Sequence, residues 1–544
     1  MSSTQLLLRA GDENDEGVVD YSGDVFVAKS VDEVLSVING FGLYQFYFAL
    51  YWTILIGAGG MVSMSFIMMG RKEQPVCNKH YYGNCSTVAG STRDVCKTKG
   101  YTFPQGGTFS YSSTFDLACD RRDLLPVPTM SYFAGFAVGA WAFGWVTDKF
   151  GRKPVFMLTS TAALISHVAM CLSRDFIFFC ICKLLIGVFF GGQMSAAWNL
   201  LMEILSPKYR AFVGGCCWCV WSLMVSVNPL ISYAVDSWYK ENRHGGEMQH
   251  LHSWQLSGLI MGVPMLVILL FSNCCLRESP RYLLSKGKVD DAMEALEEIA
   301  AYNKKLMPIC DFQTRGGPPE ASAEGKANER LSTIDLFRDW NVALITVTVT
   351  YLWFSTNVAY YGMSIELSRI GSNVYDSVVY SSALEAPAYL STGFVLKYFG
   401  RKSVMTVCLL QGGICCLISA FLADWKGAHT LVQILAFASK FGITLSFSVV
   451  YVYTSELFPT SLRGVAYGVA NVGARLGGVL APELLLAKTP SIIFGAIAIL
   501  GAIASAAFLP ETKDAGTLET LADMKDLGGK RSKAIPRNQA QTIS

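Results

Sequence analysis

Two stretches of sequence that resemble each other decide the fold. Residues 144–153 read Gly-Trp-Val-Thr-Asp-Lys-Phe-Gly-Arg-Lys, and residues 393–402 read Gly-Phe-Val-Leu-Lys-Tyr-Phe-Gly-Arg-Lys. Their glycines and their Arg-Lys pairs match at a spacing of 249 residues. A second pair of segments, 203–210 and 456–463, repeats its Glu and its Arg in the same order at a spacing of 253 residues. Two ordered matches at nearly one spacing predict a chain built from two homologous halves.

The composition predicts that both halves lie in a membrane. The chain has 544 residues, of which 52% are hydrophobic and only 16% are charged. Soluble domains carry about 25% charged residues, so most of the surface of this chain does not face water. The formal net charge of +2 provides no strong basic field for nucleic acid. We therefore expect a lipid bilayer as a partner and no nucleic acid.

Twelve apolar runs are long enough to cross a bilayer, which takes about 20 residues as a helix. The predicted fold class is an all-α membrane protein, with twelve transmembrane helices in two pseudo-symmetric six-helix halves. Parallel repeats of this kind are related by an axis along the membrane normal and hold a solute near the midplane. The spans, numbered 1 to 12, are predicted at 43–68, 126–147, 154–173, 176–200, 211–234, 255–275, 342–363, 376–397, 404–423, 429–453, 464–486 and 491–509.

Basic residues in short loops predict the orientation, because such loops stay in the cytosol. Three loops with Lys and Arg, after spans 2, 4 and 8, fall on one side, and both termini share it. No cleavable signal peptide pattern precedes the first apolar run. The predicted organisation is a cytosolic segment 1–42, a first half 43–275 with a large extracellular loop 71–125, a cytosolic central loop 276–340, a second half 341–510 and a cytosolic tail 511–544.

The large outer loop carries two expected modifications. Asn84-Cys-Ser is an acceptor tripeptide for N-glycosylation, and we expect the glycan at Asn84. Disulfides persist on the oxidising side of a membrane, and four cysteines allow three pairings between which the sequence does not choose. The disulfide candidates are Cys77, Cys85, Cys96 and Cys119.

The repeated glycine-rich run predicts a tight turn that can change its contacts during a conformational cycle. Glycines allow the turn, and Asp148 can pair with a base or cap a helix across the interface between the halves. This run resembles the loop signature of the major facilitator superfamily, which implies a transporter that alternates its access. The residues predicted to form a conformational latch are Asp148, Arg152, Glu203, Arg210, Glu456 and Arg463.

Four further segments resemble the organic cation, carnitine and organic anion transporter family of that superfamily. They are Thr114–Asp120, Glu278–Lys288, Tyr360–Gly362 and Tyr451–Thr460. The resemblance runs from about residue 31 to residue 512 and includes a large, cysteine-containing, glycosylated first outer loop. It implies a multi-pass protein, in the plasma membrane, that moves small organic solutes.

Two charged residues inside predicted spans bear on the solute. A charge at the centre of a membrane helix costs about 2.5–3.5 kcal/mol, so Glu385 in span 8 and Arg475 in span 11 should face a cavity or a partner. Cation-specific family members carry an acidic residue where this chain has Arg475, and typical anion members carry a Lys where it has Tyr389. Both departures resemble the carnitine branch, in which Arg475 would bind a carboxylate and Glu385 with aromatic rings would bind an ammonium. The rival interpretation is a structural pair of Glu385 with Arg475.

Aromatic residues at helical spacing are expected to complete the pocket, with helix packing as the alternative for each. Together with Glu385 and Arg475, the predicted substrate-binding residues are Tyr389, Trp353, Tyr360, Tyr361, Phe447, Tyr451, Trp218 and Trp221.

The sequence therefore predicts a transporter of small organic cations and zwitterions of the carnitine type. The alternatives are an organic anion transporter or exchanger, and a membrane receptor that binds solute without turnover. No nucleophile–base arrangement or phosphate loop indicates an enzyme, and we expect no cofactor and no metal, only a coupling ion of unknown identity. The sequence gives no oligomeric state.

Overall fold

A computed structural model describes most of the membrane-embedded chain. The described residues are 27–28, 31–71, 73, 76–77, 101–103, 108–242, 251–310, 333–370, 373–423, 425 and 427–513.

Long helices occupy all twelve predicted positions. Span 1 is broken at Ser65 and span 5 at Ser226, so each of these two spans consists of two consecutive helices. In chain order the spans are Leu43–Met64 with Phe66–Met69, Val127–Phe150, Arg152–Cys171, Phe176–Ile204, Pro207–Val225 with Val227–Glu241, Ser253–Cys275, Trp340–Ile370, Val374–Tyr398, Arg401–Leu422, His429–Leu457, Thr460–Leu484 and Pro490–Phe508.

The short elements lie between the spans and near the ends of the described chain. Two two-stranded pairings occur, Val27–Ala28 parallel to Ile309–Cys310 and Val76–Cys77 antiparallel to Tyr101–Thr102. The remaining helices are Val31–Val37, Tyr111–Thr114, the 3-10 helix Cys119–Leu124, Pro280–Ser285, Val289–Tyr302 and Asp335–Arg338.

Helix length and apolar composition divide the spans into two groups. Nine helices of the described chain are long and apolar enough to cross a membrane, judged by length and composition alone. The other three are spans 2, 8 and 11. These three helices contribute Phe136, Glu385 and Arg475 to the central group of side chains, which residues of spans 5, 7 and 10 complete.

Glycines set the closest helix contacts within the halves. A Cβ added at Gly139 in span 2 would lie 1.9 Å from the carbonyl oxygen of Val188 in span 4. A Cβ at Gly187 in span 4 would lie 2.0 Å from the carbonyl oxygen of Tyr132 in span 2. Only glycine fits at either position, so spans 2 and 4 pack backbone against backbone.

The two halves meet along spans 2, 5, 8 and 11. Phe133 of span 2 packs with its ring centroid 4.5 Å from that of Tyr361 in span 7. It also fills the space above Gly478 of span 11, where an added Cβ would lie 2.7 Å from Cδ1 of Phe133. The interface between the halves is therefore apolar and aromatic beside the central charged residues.

Candidate functional site

A buried ion pair lies at the centre of the second half. Nζ of Lys440 in span 10 lies 2.9 Å from Oε1 of Glu385 in span 8, and the lysine side chain is fully buried. The hydroxyl of Tyr360 in span 7 donates to Oε2 of the same carboxylate at 2.7 Å. Both oxygens of Glu385 therefore have partners within the protein. The rival interpretation, a structural pair of Glu385 with Arg475, is wrong, because Lys440 is the cation that contacts Glu385.

Arg475 has a different environment. Its guanidinium carbon lies 3.5 Å from the ring centroid of Phe136, which belongs to span 2 in the other half. Its Nε is buried without a hydrogen-bond partner in the described part of the chain. The structure records no ion pair for Arg475 among those residues. The site thus contains a guanidinium that rests on an aromatic face and has donors to spare.

The predicted aromatic residues form one group around Trp218 of span 5. The Trp218 ring centroid lies 6.0–6.2 Å from those of four other predicted residues, Trp221, Tyr389, Phe447 and Tyr451. Trp218 is half-buried, and three of these four partners belong to the second half. This group therefore joins the halves at the level of the ion pair.

The other predicted rings extend this group. The Tyr360 ring lies 4.9 Å from Phe447 and 5.2 Å from Tyr361. Trp353 lies 4.4 Å from Tyr451, but it is almost fully buried and its indole N–H donates to Oγ1 of Thr454 at 2.9 Å. All ten predicted residues thus lie in one region, and Trp353 mainly supports the helices around it.

The repeated motif forms a clamp within the first half. Arg152, at the start of span 3, donates from Nη2 to Glu203 Oε1 at 3.0 Å and from Nη1 to the carbonyl of Thr147 at 3.1 Å. Asp148 lies 3.3 Å from the same guanidinium, and its side chain is 72% exposed. Asp148, in the last turn of span 2, therefore pairs within the first half and not across the interface between the halves.

The second half repeats this clamp. Arg401 donates from Nη2 to Glu456 at 2.9 Å and from Nη1 to the carbonyl of Leu396 at 3.3 Å. The internal repeat of the sequence is thus also a repeat of contacts. We call the face with Arg152 and Arg401 the motif face.

Two glutamates that the sequence analysis did not select complete the clamps. Glu278 accepts from the backbone N–H of Arg152 at 3.1 Å, and Glu511 accepts from that of Arg401 at 2.8 Å. A Cβ at Gly151 would lie 2.4 Å from Glu278, and one at Gly400 would lie 2.0 Å from Glu511. The motif glycines leave room for these carboxylates, which bind at the N-termini of spans 3 and 9.

The remaining predicted latch residues differ between the halves. Arg210 lies 3.1 Å from Asp32, a residue that Arg281 also contacts. The Nε of Arg463, the repeat partner of Arg210, is buried without a hydrogen-bond partner in the described part of the chain. The repeat therefore holds for Arg152 and Arg401 but not for the second arginine.

A second polar cluster lies on the opposite face, near the end of span 1. Arg71 pairs with Asp236 of span 5 at 2.5 Å, and both side chains are largely buried. Ser253 of span 6 and Tyr375 at the start of span 8 donate their hydroxyls to the same carboxylate. Because Tyr375 belongs to the second half, this cluster connects the two halves on the opposite face.

A cavity lies beside this cluster and away from the central aromatic group. Its volume is about 330 Å³, and residues of both halves line it. Glu73 lies next to Arg71, Ser110 and Ser113, and burial raises the pKa of its carboxyl although the nearby guanidinium lowers it. The lining residues are Phe66, Ile67, Gly70, Arg71, Tyr111, Leu125, Pro126, Thr129, Ile365, Val374, Pro482, Leu485 and Leu486.

The predicted modifications fall mostly outside the described residues. These include Asn84 and the side chains of Cys77, Cys85 and Cys96. Cys119 is disulfide-bonded in the structure. The pairing and the glycan stay predictions.

Comparison with known proteins now identifies the family. The family model described as "Sugar (and other) transporter" matches residues 113–524, about three quarters of the chain. The chain belongs to this transporter family. Its fold matches the inward open conformation of the xylose transporter XylE from E. coli with a TM-score of 0.59, at 16% identity, over 89% of this chain and all of that one.

Relatives of this transporter include members of solute carrier family 22. Human solute carrier family 22 member 13 is 28% identical over 78% of this chain and 73% of its own length. Member 15 from Xenopus tropicalis is 26% identical over 91% of both. Human organic cation/carnitine transporter 2 is 28% identical over 80% of this chain and 76% of its own length.

These matches confirm the superfamily, the family resemblance and the twelve-helix fold. The chain is a multi-pass membrane transporter of small organic solutes and not an enzyme. Transporters of this kind need no cofactor, and a coupling ion stays open.

Proposed function

We propose that this transporter moves small organic solutes that carry a carboxylate, with zwitterions of the carnitine type preferred. The observation that carries the proposal is the guanidinium of Arg475 above Phe136, whose buried Nε has no hydrogen-bond partner among the described residues. A carboxylate satisfies such a group with two charge-assisted hydrogen bonds, which are about twice as strong as neutral ones. The name of the human carnitine relative is consistent with this class of solute.

The ammonium end of a zwitterion would bind to aromatic rings. The half-buried Trp218 and its neighbours Tyr389, Phe447 and Tyr451 offer π faces at one level. A cation over such a face gains about 0.5–2 kcal/mol. Glu385 contributes less than the sequence analysis expected, because Lys440 and Tyr360 already engage its carboxylate.

Organic anions are the second candidate class, and one observation favours them. Glu385, Lys440 and Arg475 together carry one net positive charge, which complements a monoanion. Simple cations without a carboxylate fit this site least, since no acidic residue of the group is free to receive them. A receptor that binds without turnover is distinguished from a transporter by measuring flux.

We further infer alternating access, with rigid halves 43–275 and 341–510 that rock about the central site. The clamps at Arg152 and Arg401 would hold each half together at the motif face while the halves separate. The basic loops after spans 2, 4 and 8 support a cytosolic motif face and cytosolic termini in the plasma membrane. The same orientation would place the glycan at Asn84 and the disulfides of loop 71–125 on the extracellular side.

The experiment is uptake of labelled L-carnitine, benzoate and tetraethylammonium by vesicles that contain the purified protein. We expect time-dependent, saturable uptake of L-carnitine, weaker uptake of benzoate and least uptake of tetraethylammonium. Preference for tetraethylammonium over both carboxylates would contradict the proposal, and binding of L-carnitine without accumulation would favour the receptor. Faster gel migration of Asn84→Gln from a glycosylating host tests the orientation.

A further inference from the structure

The charge state of the central site depends on a residue that no solute needs to touch. Lys440 is fully buried, and protein atoms surround its Nζ. It lies 2.9 Å from Glu385 Oε1, donates to Ser364 Oγ at 2.5 Å and to the Tyr360 carbonyl at 3.2 Å, and lies 3.5 Å from the Tyr360 ring centroid. An ammonium has three donors, so the protein occupies all of them.

Glu385 is enclosed in the same way. The Lys440 ammonium engages Oε1, and the Tyr360 hydroxyl engages Oε2. The side chain of Glu385 is 7% exposed. A solute ammonium therefore meets a carboxylate whose charge is already compensated at close range.

We propose that Lys440 determines the charge specificity of this transporter by neutralising Glu385. Without the lysine, the negative charge of Glu385 would offset the positive charge of Arg475, and the group would be neutral. With the lysine, the charge of Arg475 is left over, and the site selects carboxylates. Lys440 acts through Glu385 and is a specificity-determining residue without solute contact. This inference rests on the proposed function.

The test compares the ratio of benzoate to tetraethylammonium uptake in four proteins, corrected for protein amount. Lys440→Met removes the charge at similar length and should lower this ratio at least about tenfold, because unit charges interact strongly at low dielectric. Glu385→Gln adds a net positive charge and should raise the ratio. The double variant Lys440→Met/Glu385→Gln has the net charge of the parent and should return the ratio to within about twofold of it.

Two controls separate charge from folding. Lys440→Arg keeps the charge and should keep the ratio. Lys183→Met removes another buried lysine, in span 4, whose ammonium lies near Phe66 and Phe179 and outside this group. It should leave the ratio unchanged, whatever it does to the amount of folded protein.

Specific results overturn the inference. If Glu385→Gln leaves the ratio of benzoate to tetraethylammonium uptake unchanged, the inference fails, even if Lys440→Met does not fold. Glutamine keeps acceptor and donor atoms for the neighbours of Glu385, so this variant should fold. A double variant that keeps the ratio of Lys440→Met would show direct contact of the lysine with the solute instead. Uptake by Arg475→Gln distinguishes failure of the proposed function from failure of the inference about Lys440. If carboxylate uptake survives Arg475→Gln, the proposed function fails, and if only the Lys440 and Glu385 ratios stay flat, this inference alone fails.

Discussion

The guanidinium carbon of Arg475 in the second half lies 3.5 Å from the ring centroid of Phe136 in the first half. Arg475 is therefore the charged residue of the site that contacts the half to which it does not belong, whereas Lys440 contacts residues of its own half. A rocking motion that separates spans 2 and 11 changes the environment of this charge.

Arg475→Ala should abolish uptake of zwitterions and anions and affect simple cations less. Loss of a buried charge-assisted contact costs about 2–5 kcal/mol, which is enough to remove measurable uptake. The measurement is uptake of the three probes at equal protein amount. Phe136→Leu is the companion variant and should weaken carboxylate uptake without abolishing it. Equal losses for all three probes in Arg475→Ala would contradict a role in recognition.

The clamps at the motif face should affect turnover more than solute binding. Arg152→Ala and Arg401→Ala each remove the partner of a glutamate, Glu203 or Glu456, and loosen one half during the conformational step. Solute-dependent quenching of tryptophan fluorescence measures binding, and vesicle uptake measures turnover. Asp148→Asn should have a smaller effect, because its side chain is mostly exposed. Parallel losses of binding and turnover would argue against a conformational role.

The hydroxyl of Tyr375 should help to keep the opposite face closed. Tyr375→Phe removes its hydrogen bond to the buried carboxylate of Asp236, and a bond to a charged group contributes about 1.5–3 kcal/mol. Opening of this face should then increase about tenfold or more. The measurement is the rate at which a membrane-impermeant thiol reagent labels Leu486→Cys in the cavity, above the labelling of the parent chain. An unchanged rate would exclude Tyr375 as a closing contact.

Acidification should stabilise the same closed face through Glu73. Burial raises the pKa of this carboxyl above its ordinary value of 4.5, so the closed arrangement binds a proton more tightly than one in which Glu73 is hydrated. Labelling of Leu486→Cys, divided at each pH by the rate at which the same reagent labels a free thiol, should therefore rise as the pH increases from 4.5 through the raised pKa. Glu73→Gln should flatten this profile, whereas Asp175→Asn, an exposed cap of span 4, should not. A profile that persists in Glu73→Gln assigns the titration to another group.

Much of the fold was predictable because the bilayer imposes length and apolarity on each span. The predicted run 376–397 and the observed helix Val374–Tyr398 differ by two residues at the start and one at the end. The helix of span 7 ends at Ile370, seven residues beyond the predicted end of the span at residue 363. The segment after Met363 is less apolar than the span but remains helical. Helical continuation of this kind follows from packing and not from hydropathy.

The members of the site were predictable, but their partners were not. Charged residues in a span and aromatic residues at helical spacing identified the ten residues that the structure brings together. The pairing of Glu385 with Lys440 depends on how spans 8 and 10 rotate against each other, which the sequence does not express. Lys440 itself carried a signal, since a lysine within span 10 needs a partner as much as Glu385 does.

The clamps at Arg152 and Arg401 show a second limit of prediction from the sequence. The sequence repeat indicates Arg152 and Arg401 but not Glu278 and Glu511, because these two glutamates lie at unequal distances from the matched motifs. Their position directly after spans 6 and 12 was the signal available. Arg71, Asp236 and Tyr375 were missed for another reason, as each is an ordinary residue near a span end until the halves are brought together.

The glycine contact between spans 2 and 4 has a consequence for biosynthesis. Only span 3 separates the two helices in the chain, so the contact can form once residues up to Ile204 have entered the membrane. It requires no charge pair and no solute, only the approach of two backbones at Gly139 and Gly187. Spans 8, 10 and 11 are synthesised later. The packed pair of spans 2 and 4 is therefore synthesised before the residues of spans 8, 10 and 11 that would select the solute.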